Sequence, residues 1–273
     1  MTDHSDFVLV DRPQPGVALV TLNRPERMNS MAFDVMVPLR AVLDELRLDN
    51  DVRVVVLTGA GRGFSSGADH KSAGSVPHVA GLTRPTFALR SMEVLDEVIL
   101  ALRRLHQPVI AAVNGAAIGG GLCLALACDI RVAAAGAYFR AAGINNGLTA
   151  SELGLSYLLP RAIGASRAFE IMLTGRDVDA AEAERIGLVS QVVAEDELLA
   201  YCYGIAQRIA AFSRPGTELT KRTLWSGLDA ASLEGHMQAE GLGQLFVRLL
   251  TANFEEAVAA RAEKRPAVFT DDK

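Results

Sequence analysis

Apolar positions along the chain form short runs and longer helical stripes that alternate up to about residue 193. Residues 7–10 and 17–22 read as strands parted by Pro13, Pro15 and Gly16, the pattern of a hairpin-like turn. The run RVVVLT at 53–58 is continuous and rich in β-branched residues, which suits a strand covered on both faces. Between them Phe33, Met36, Leu39, Val42, Leu43 and Leu46 recur at helical spacing. Asn29 and Ser30 are candidate caps for that helix, and Pro38 marks a kink or a later start. Residues 91–106 then predict an amphipathic helix, 109–113 a buried strand, 119–127 a glycine-started apolar helix and 130–133 a strand. Helices follow over 164–173 and 179–186, stopped by Gly175 and Gly187, and 188–193 returns to strand. From about Glu195 the pattern is helical throughout, with Pro215 as a break. Strands alternating with helices, then helices alone, predict the α/β class with an all-helical C-terminal region.

Composition narrows the function classes. The 273 residues are 50% hydrophobic and 22% charged, enough for one large domain with a sizeable core. Twenty-seven basic and 32 acidic residues give a net charge of −5 with no basic block, which argues against nucleic acid as a partner. A local basic site for a phosphorylated ligand remains compatible with that balance. Cys123, Cys128 and Cys202 form no C-x-x-C pair and read as buried thiols in a reducing compartment. His4, His70, His78, His106 and His236 never fall at H-x-x-x-H spacing, so no metal site is expected. Residues 1–7 lack the apolar stretch of a signal peptide, and the apolar run 122–127 is too short to span a membrane. The expectation is a soluble cytoplasmic protein with no membrane partner.

The segment TGAGRGFSSGAD at 58–69 carries three overlapping patterns. Gly59, Gly61 and Gly63 after a strand look like a dinucleotide loop, but such a loop opens a helix, and SSGAD is poor helix material. GFSSG at 63–67 has the form G-x-S-x-G, with Ser65 as nucleophile and His106 or His236 as partner. A nucleophile elbow runs the strand directly into the serine, whereas five residues, mostly glycine, lie here between Thr58 and Phe64. The third pattern pairs the segment with Gly119, Gly120 and Gly121, which open an apolar helix. Glycines there expose N–H groups, and the helix dipole favours negative charge. Two such loops on neighbouring strands can present two amides to one oxygen, an oxyanion hole. Close helix–sheet packing is the competing reading of the same glycines.

Four ordered motifs bear on that choice. NRPERMNS at 23–30 resembles the N-R-P-x-x-x-N-S/A entry of the enoyl-CoA hydratase/isomerase (crotonase) superfamily, and GFSSGAD at 63–69 resembles its F-x-x-G-x-D loop. PVIAAVNGAAIGGGLCLALACD at 108–129 is similar to its triple-glycine stretch, and LTGRDVDAAEAERIGLVSQVV at 173–193 to its L-T-G…G-L-V segment. The resemblance implies a crotonase-like spiral of ββα units over 1–195, binding acyl-CoA, and a C-terminal helical trimerisation region over 196–273. Lys264 and Arg265 fit the family's basic ending. It implies oxyanion amides on Ala68 and Gly120. It implies coenzyme A contacts from Arg27, Ser66, Asp69 and Lys71, with Arg27 and Lys71 candidates for the phosphates. No metal or redox cofactor is implied, since coenzyme A arrives as part of the thioester. A homotrimer or dimer of trimers, working as a lyase or isomerase in fatty-acid metabolism, completes the expectation.

Two departures from the family pattern redirect the chemistry. Hydration in the family uses two glutamates that hold a water across the double bond, and Cys123 and Gly143 occupy their places. A thiol is a weak acceptor with an ordinary pKa near ~8.5 and substitutes poorly in water chemistry. GLTASELGLSYLLPR at 147–161 resembles dienoyl-CoA isomerases, which carry an active-site acid just before this helix, and Glu152 matches that position. The competing reading of Glu152 is a first-turn glutamate that suits a helix N-terminus. An isomerase, hydratase or related acyl-CoA converter with Glu152 as acid/base therefore stands beside an acyl-CoA-binding protein that has lost the chemistry.

Overall fold

The structure, a computed structural model, describes residues 6–271. The N-terminal stretch read as lacking a leader lies outside the described residues apart from Asp6 and Phe7. In chain order the elements are β1 (Val8–Gln14), β2 (Val17–Leu22), α1 (Phe33–Leu48), β3 (Val54–Gly59), β4 (Gly63–Ser65) and α2 (Arg84–Arg104). Next come β5 (Val109–Val113), β6 (Ala116–Ile118), α3 (Gly120–Ala127), β7 (Ile130–Ala134), β8 (Tyr138–Arg140), α4 (Leu155–Ile163) and α5 (Ala165–Thr174). The chain closes with β9 (Asp177–Asp179), α6 (Ala180–Arg185), β10 (Gln191–Val193), α7 (Leu198–Ala210), α8 (Arg214–Gly227), α9 (Leu233–Leu250) and α10 (Asn253–Glu263).

Successive strands separate into two sheets. A six-stranded sheet has the order β1-β2-β3-β5-β7-β10, and a four-stranded sheet has the order β4-β6-β8-β9. Each turn of the chain thus places one strand in the large sheet and the next in the small one before a helix returns, as in β3-β4-α2 and β5-β6-α3. All contacts in the large sheet are parallel except the β1–β2 hairpin. This is the ββα spiral of the α/β class that the motifs imply.

Burial explains the apolar runs. Every residue of β3 and of β5 is buried, and their side chains alternate between the two faces of the sheet. Val55, Leu57, Val109, Ala111 and Val113 face the main core with α1 and α3. Val54, Val56, Ile110 and Ala112 face the other side, where Leu198, Cys202 and Ala206 of α7 cover them. Just past the boundary expected at residue 195, α7 seals the second face of the sheet.

Other expectations shift locally. Asn29 and Ser30 do not cap α1, whose N-cap is Ala32 with no side-chain bond. Pro38 lies inside α1 without ending it. The helix read at 91–106 begins earlier, at Arg84, and Pro215 sits in the first turn of α8, where its missing N–H costs nothing. The strand read at 188–193 is confined to β10. Among the described residues no helix is long and apolar enough to cross a membrane.

Beyond α7 the chain is tied to the core through a buried ion pair. Lys221 on α8 donates from Nζ to Asp129 Oδ2 at 2.9 Å and to the Gln107 carbonyl at 2.9 Å. Trp225 Nε1 donates to the other carboxylate oxygen of Asp129 at 2.6 Å. In contrast, α9 buries none of its 18 residues in the single chain.

Asn29 is fully buried and joins the start of the chain to the β3–β4 turn. Its Oδ1 accepts from the Arg24 N–H at 2.8 Å, and its Nδ2 donates to the carbonyls of Ala60 and Gly63 at 2.9 and 2.8 Å. Removing the amide strands these groups, each at about 1–3 kcal/mol when buried. Asn29→Ala should lower unfolding free energy by at least ~2 kcal/mol in urea titration, with protection from hydrogen exchange lost first at 59–63. An unchanged midpoint would contradict this role for Asn29.

Candidate active site

The loop that leaves β4 is organised by Asp69. Its side chain is 2% exposed and accepts from Arg27 Nη2 at 2.5 Å, Arg24 Nη1 at 3.2 Å and Ser30 Oγ at 3.1 Å. The N–H groups of Lys71 and Ser72 donate to Asp69 Oδ1, both at 2.9 Å. Burial alone would raise this carboxyl, but Arg27, the two backbone N–H groups and Ser30 hold it well below the usual carboxylate range. Asp69 thus turns inward, where its lone pairs are taken up by protein donors. Arg27 presents one edge of its guanidinium to Asp69 and remains part-exposed, as does Ser66, whose N–H donates to the Met28 carbonyl. Lys71 points into solvent, with its side chain exposed.

The next step places two backbone amides. Met31 pairs with Ala68 in a parallel bridge that uses the Gly67 carbonyl and the Asp69 N–H. In that pattern the residue between them, Ala68, directs its own N–H away from Met31, and Ala68 is exposed. Gly120 is the first residue of α3, so its N–H has no partner within the helix. The two turns touch: a Cβ on Gly67, at φ +79°, would lie 2.5 Å from the Ile118 carbonyl and 3.2 Å from Gly120 N. Met31 and Leu153 flank Gly120 with apolar side chains.

Glu152 completes the group. It sits at the end of the loop before α4, with Leu155 N–H donating to its carbonyl at 2.7 Å. A Cβ on Gly119 would begin 3.0 Å from Glu152 Oε1, so the carboxylate borders the Gly119–Gly120 turn. Burial raises its pKa above the ordinary value, partly offset by the charge of His70. Cys123 lies behind, its Sγ within 3.3 Å of the Gly119 carbonyl and 3.5 Å of the Glu152 carbonyl. Burial and then Glu152 push that thiol well above its ordinary pKa, so it is neutral. Gly143 packs against the Thr149 and Ala150 backbone.

The fold therefore brings Ala68, Gly120 and Glu152 together and groups Arg27, Ser66 and Asp69 on one side of them. The arrangement can hold a negative oxygen on two amides while one base moves a proton beside it. Residues the motifs did not single out also border the site: His70, Met31 and Leu153. Only their adjacency to motif residues hinted at them. The two competing patterns fail on structure. β3 is followed by strand β4 rather than a helix, so the glycine loop has no helix N-terminus for a pyrophosphate. Ser65 is 0% exposed and accepts from the Gly67 N–H, while His106 meets Arg222 and His236 meets Glu240. All three cysteines are free and buried. Among the described residues no group of three or more His, Cys, Asp or Glu could hold a metal ion.

The chain matches known proteins over nearly all of its length. The family model described as enoyl-CoA hydratase/isomerase matches residues 12–272. A probable enoyl-CoA hydratase of Mycobacterium tuberculosis is 82% identical over 266 residues, 97% of this chain and 93% of its own. A solved structure of a probable enoyl-CoA hydratase/isomerase from Mycobacterium abscessus is 75% identical, with a TM-score of 0.94 over 98% of this chain and 100% of its own. One described as a monofunctional enoyl-CoA isomerase from M. smegmatis is 74% identical, with a TM-score of 0.74 over 86% of this chain and 99% of its own.

The Asp69 cluster makes a testable contribution to stability. Removing one partner of a buried pair costs about 3 kcal/mol, so Asp69→Asn should destabilise the protein by an amount of that order at neutral pH. Because the folded carboxyl is held below its unfolded value of ~3.9, its contribution is complete above that pH and fades as pH falls below it. Urea midpoints across pH should show the gap between wild type and variant constant near neutrality and closing in acid. A gap that widens in acid would overturn the assignment.

Proposed function

We propose that this chain, which belongs to the enoyl-CoA hydratase/isomerase family, is an isomerase that shifts the double bond of an enoyl-CoA thioester with a single carboxylate. The observation that carries the reading is the seat of Glu152 beside the Gly119–Gly120 turn, with Cys123 and Gly143 where hydration would need its two carboxylates. The thioester oxygen accepts from the N–H groups of Ala68 and Gly120, which form an oxyanion hole and acidify the α-carbon. Glu152 takes a proton from that carbon, and the resulting enolate is conjugated with the neighbouring double bond. The same carboxylic acid returns the proton at the γ-carbon, so the double bond moves and no atom is gained or lost. Burial strengthens Glu152 as a base for this transfer. Hydration would instead need a water held from both sides, which a neutral buried thiol and a glycine do not supply.

Coenzyme A phosphates meet Lys71 and the outer edge of Arg27, while Ser66 lines the approach and Asp69 fixes Arg27 from behind. The M. smegmatis relative described as a monofunctional isomerase supports the one-base reading. The place of such a reaction is fatty-acid metabolism. A homotrimer or dimer of trimers would cover α9, whose Leu242, Leu245, Phe246 and Leu249 are exposed in the single chain.

Glu152→Gln keeps shape and removes basicity, and should reduce isomerase turnover by about 10²–10⁴-fold. In wild type, kcat/KM should fall as pH drops through the raised pKa of Glu152, placing the acid limb above the ordinary ~4.3 of glutamate. Crotonyl-CoA hydration should be far slower than isomerisation; rapid hydration would overturn the one-base reading. Binding of acyl-CoA without turnover of any enoyl-CoA would instead favour a non-catalytic acyl-CoA-binding protein. Light scattering should give about three or six times the 29.0 kDa chain mass, and a monomer would end the assembly proposal.

A further inference from the structure

Cys123 lies in the first turn of α3 and is fully buried. Its contact with the Gly119 carbonyl, four residues back, is one that a helical cysteine commonly makes, and Cys128 makes the same contact with Leu124 at 3.3 Å. The contact with the Glu152 carbonyl at 3.5 Å is different in kind, because it joins α3 to a loop 29 residues away. One S–H serves both acceptors only as a shared bond. The two carbonyls belong to residues on either side of the chemistry. Gly119 immediately precedes the Gly120 N–H and has φ +52°, a conformation that favours glycine. Glu152 carries the carboxylate.

The backbone after Glu152 needs such a tie. Leu153 has φ +48° and Gly154 φ +80°, so two successive residues are left-handed. A leucine in this region costs about 1 kcal/mol and persists only where its surroundings over-determine it. Leu153 is buried beside Gly120, Leu155 N–H takes one lone pair of the Glu152 carbonyl, and the Cys123 thiol meets the same oxygen.

The geometry points to Cys123 as a positioning residue: its buried thiol ties the Glu152 carbonyl to the Gly119 carbonyl and so holds the base and the amide turn in one register. This rests on Glu152 being the base. Because the thiol is neutral, its removal changes position and not charge.

The test compares Cys123→Val, which keeps an apolar side chain of similar size without a donor, with Cys123→Ser, which keeps the donor. Both are made in the full chain, and circular dichroism, melting and light scattering confirm fold and assembly. With trans-3-hexenoyl-CoA as substrate, Cys123→Val should lose about ten- to a hundredfold in kcat with KM nearly unchanged. Its acid limb should move to lower pH, since a loosened carboxylate meets more water and loses the upward shift of burial. Cys123→Ser should recover most of kcat. If Cys123→Val fails to fold, Cys123→Ala is read by the same pH profile. Wild-type kcat and acid limb in the donor-free variant, with Glu152→Gln inactive, would overturn the positioning role and leave the base reading standing. Lost activity with an unmoved acid limb and no recovery in Cys123→Ser would reduce Cys123 to a packing residue. Unchanged turnover in Glu152→Gln would overturn both.

Discussion

Asp69 carries a charge into a place that water barely reaches, and the loop leaving β4 keeps its shape because donors from five residues converge on it. An ionised carboxylate with few of those donors would be forced toward protonation or toward solvent. With all of them it fixes three segments at once: the turn at 24–27, Ser30 ahead of α1, and the 67–72 loop. The position of Ala68 follows, since it sits between Gly67 and Asp69 and its N–H direction is set by their bridge to Met31. Asn29 performs the matching task one layer deeper, where its amide joins Arg24 to the β3–β4 turn.

The second half of the site depends on close backbone approach. A side chain at Gly67 would collide with the Ile118 carbonyl, and one at Gly115 would begin 2.1 Å from the Arg62 carbonyl. These contacts let β4 and β6 pair, across a register shift between Gly63 and Ser65, and bring the start of α3 against the 67–68 turn. One amide thus sits in the bridged 67–69 segment and the other at the start of α3, while Glu152 comes in on the loop over 144–154. That loop is where strain collects, at Leu153, and where the thiol of Cys123 makes its long-range contact.

The same division separates stability from chemistry. The ion pairs around Asp69 and the Lys221–Asp129–Trp225 group hold framework, and their charges are satisfied inside the protein. Glu152, by contrast, is half-buried with no cation bonded to it among the described residues, and burial leaves its carboxyl raised rather than lowered. A carboxylate used for structure is stabilised in its charged form, whereas the raised carboxyl of Glu152 lacks that stabilisation, as the proposed role of base requires.

Sequence by itself determined the elements whose pattern is long enough to repeat. Strands β2, β3, β5 and β7, the stripe of α1 and the apolar α3 were legible because period-2 and helical spacings need several residues to show, and these segments supply them. The four ordered motifs carried the family, and with it the candidate amides of Ala68 and Gly120, while Glu152 was singled out by the separate resemblance at 147–161. Strands β4, β6, β8 and β9 were not legible, since three residues each are too few for alternation and they exist only through pairing with one another. Nor could sequence show that α7 belongs to the core, because its apolar face matches the far side of a sheet whose strands come from several distant parts of the chain, Val17, Val54, Ile110 and Val132 among them. It marked Asp69 as a ligand contact, whereas three-dimensional proximity to Arg24, Arg27 and Ser30 turns that carboxylate inward. The raised carboxyl of Glu152, the field of His70 and the thiol at its carbonyl were decided by the tertiary structure alone, because burial and through-space charge depend on which distant segments the fold brings together.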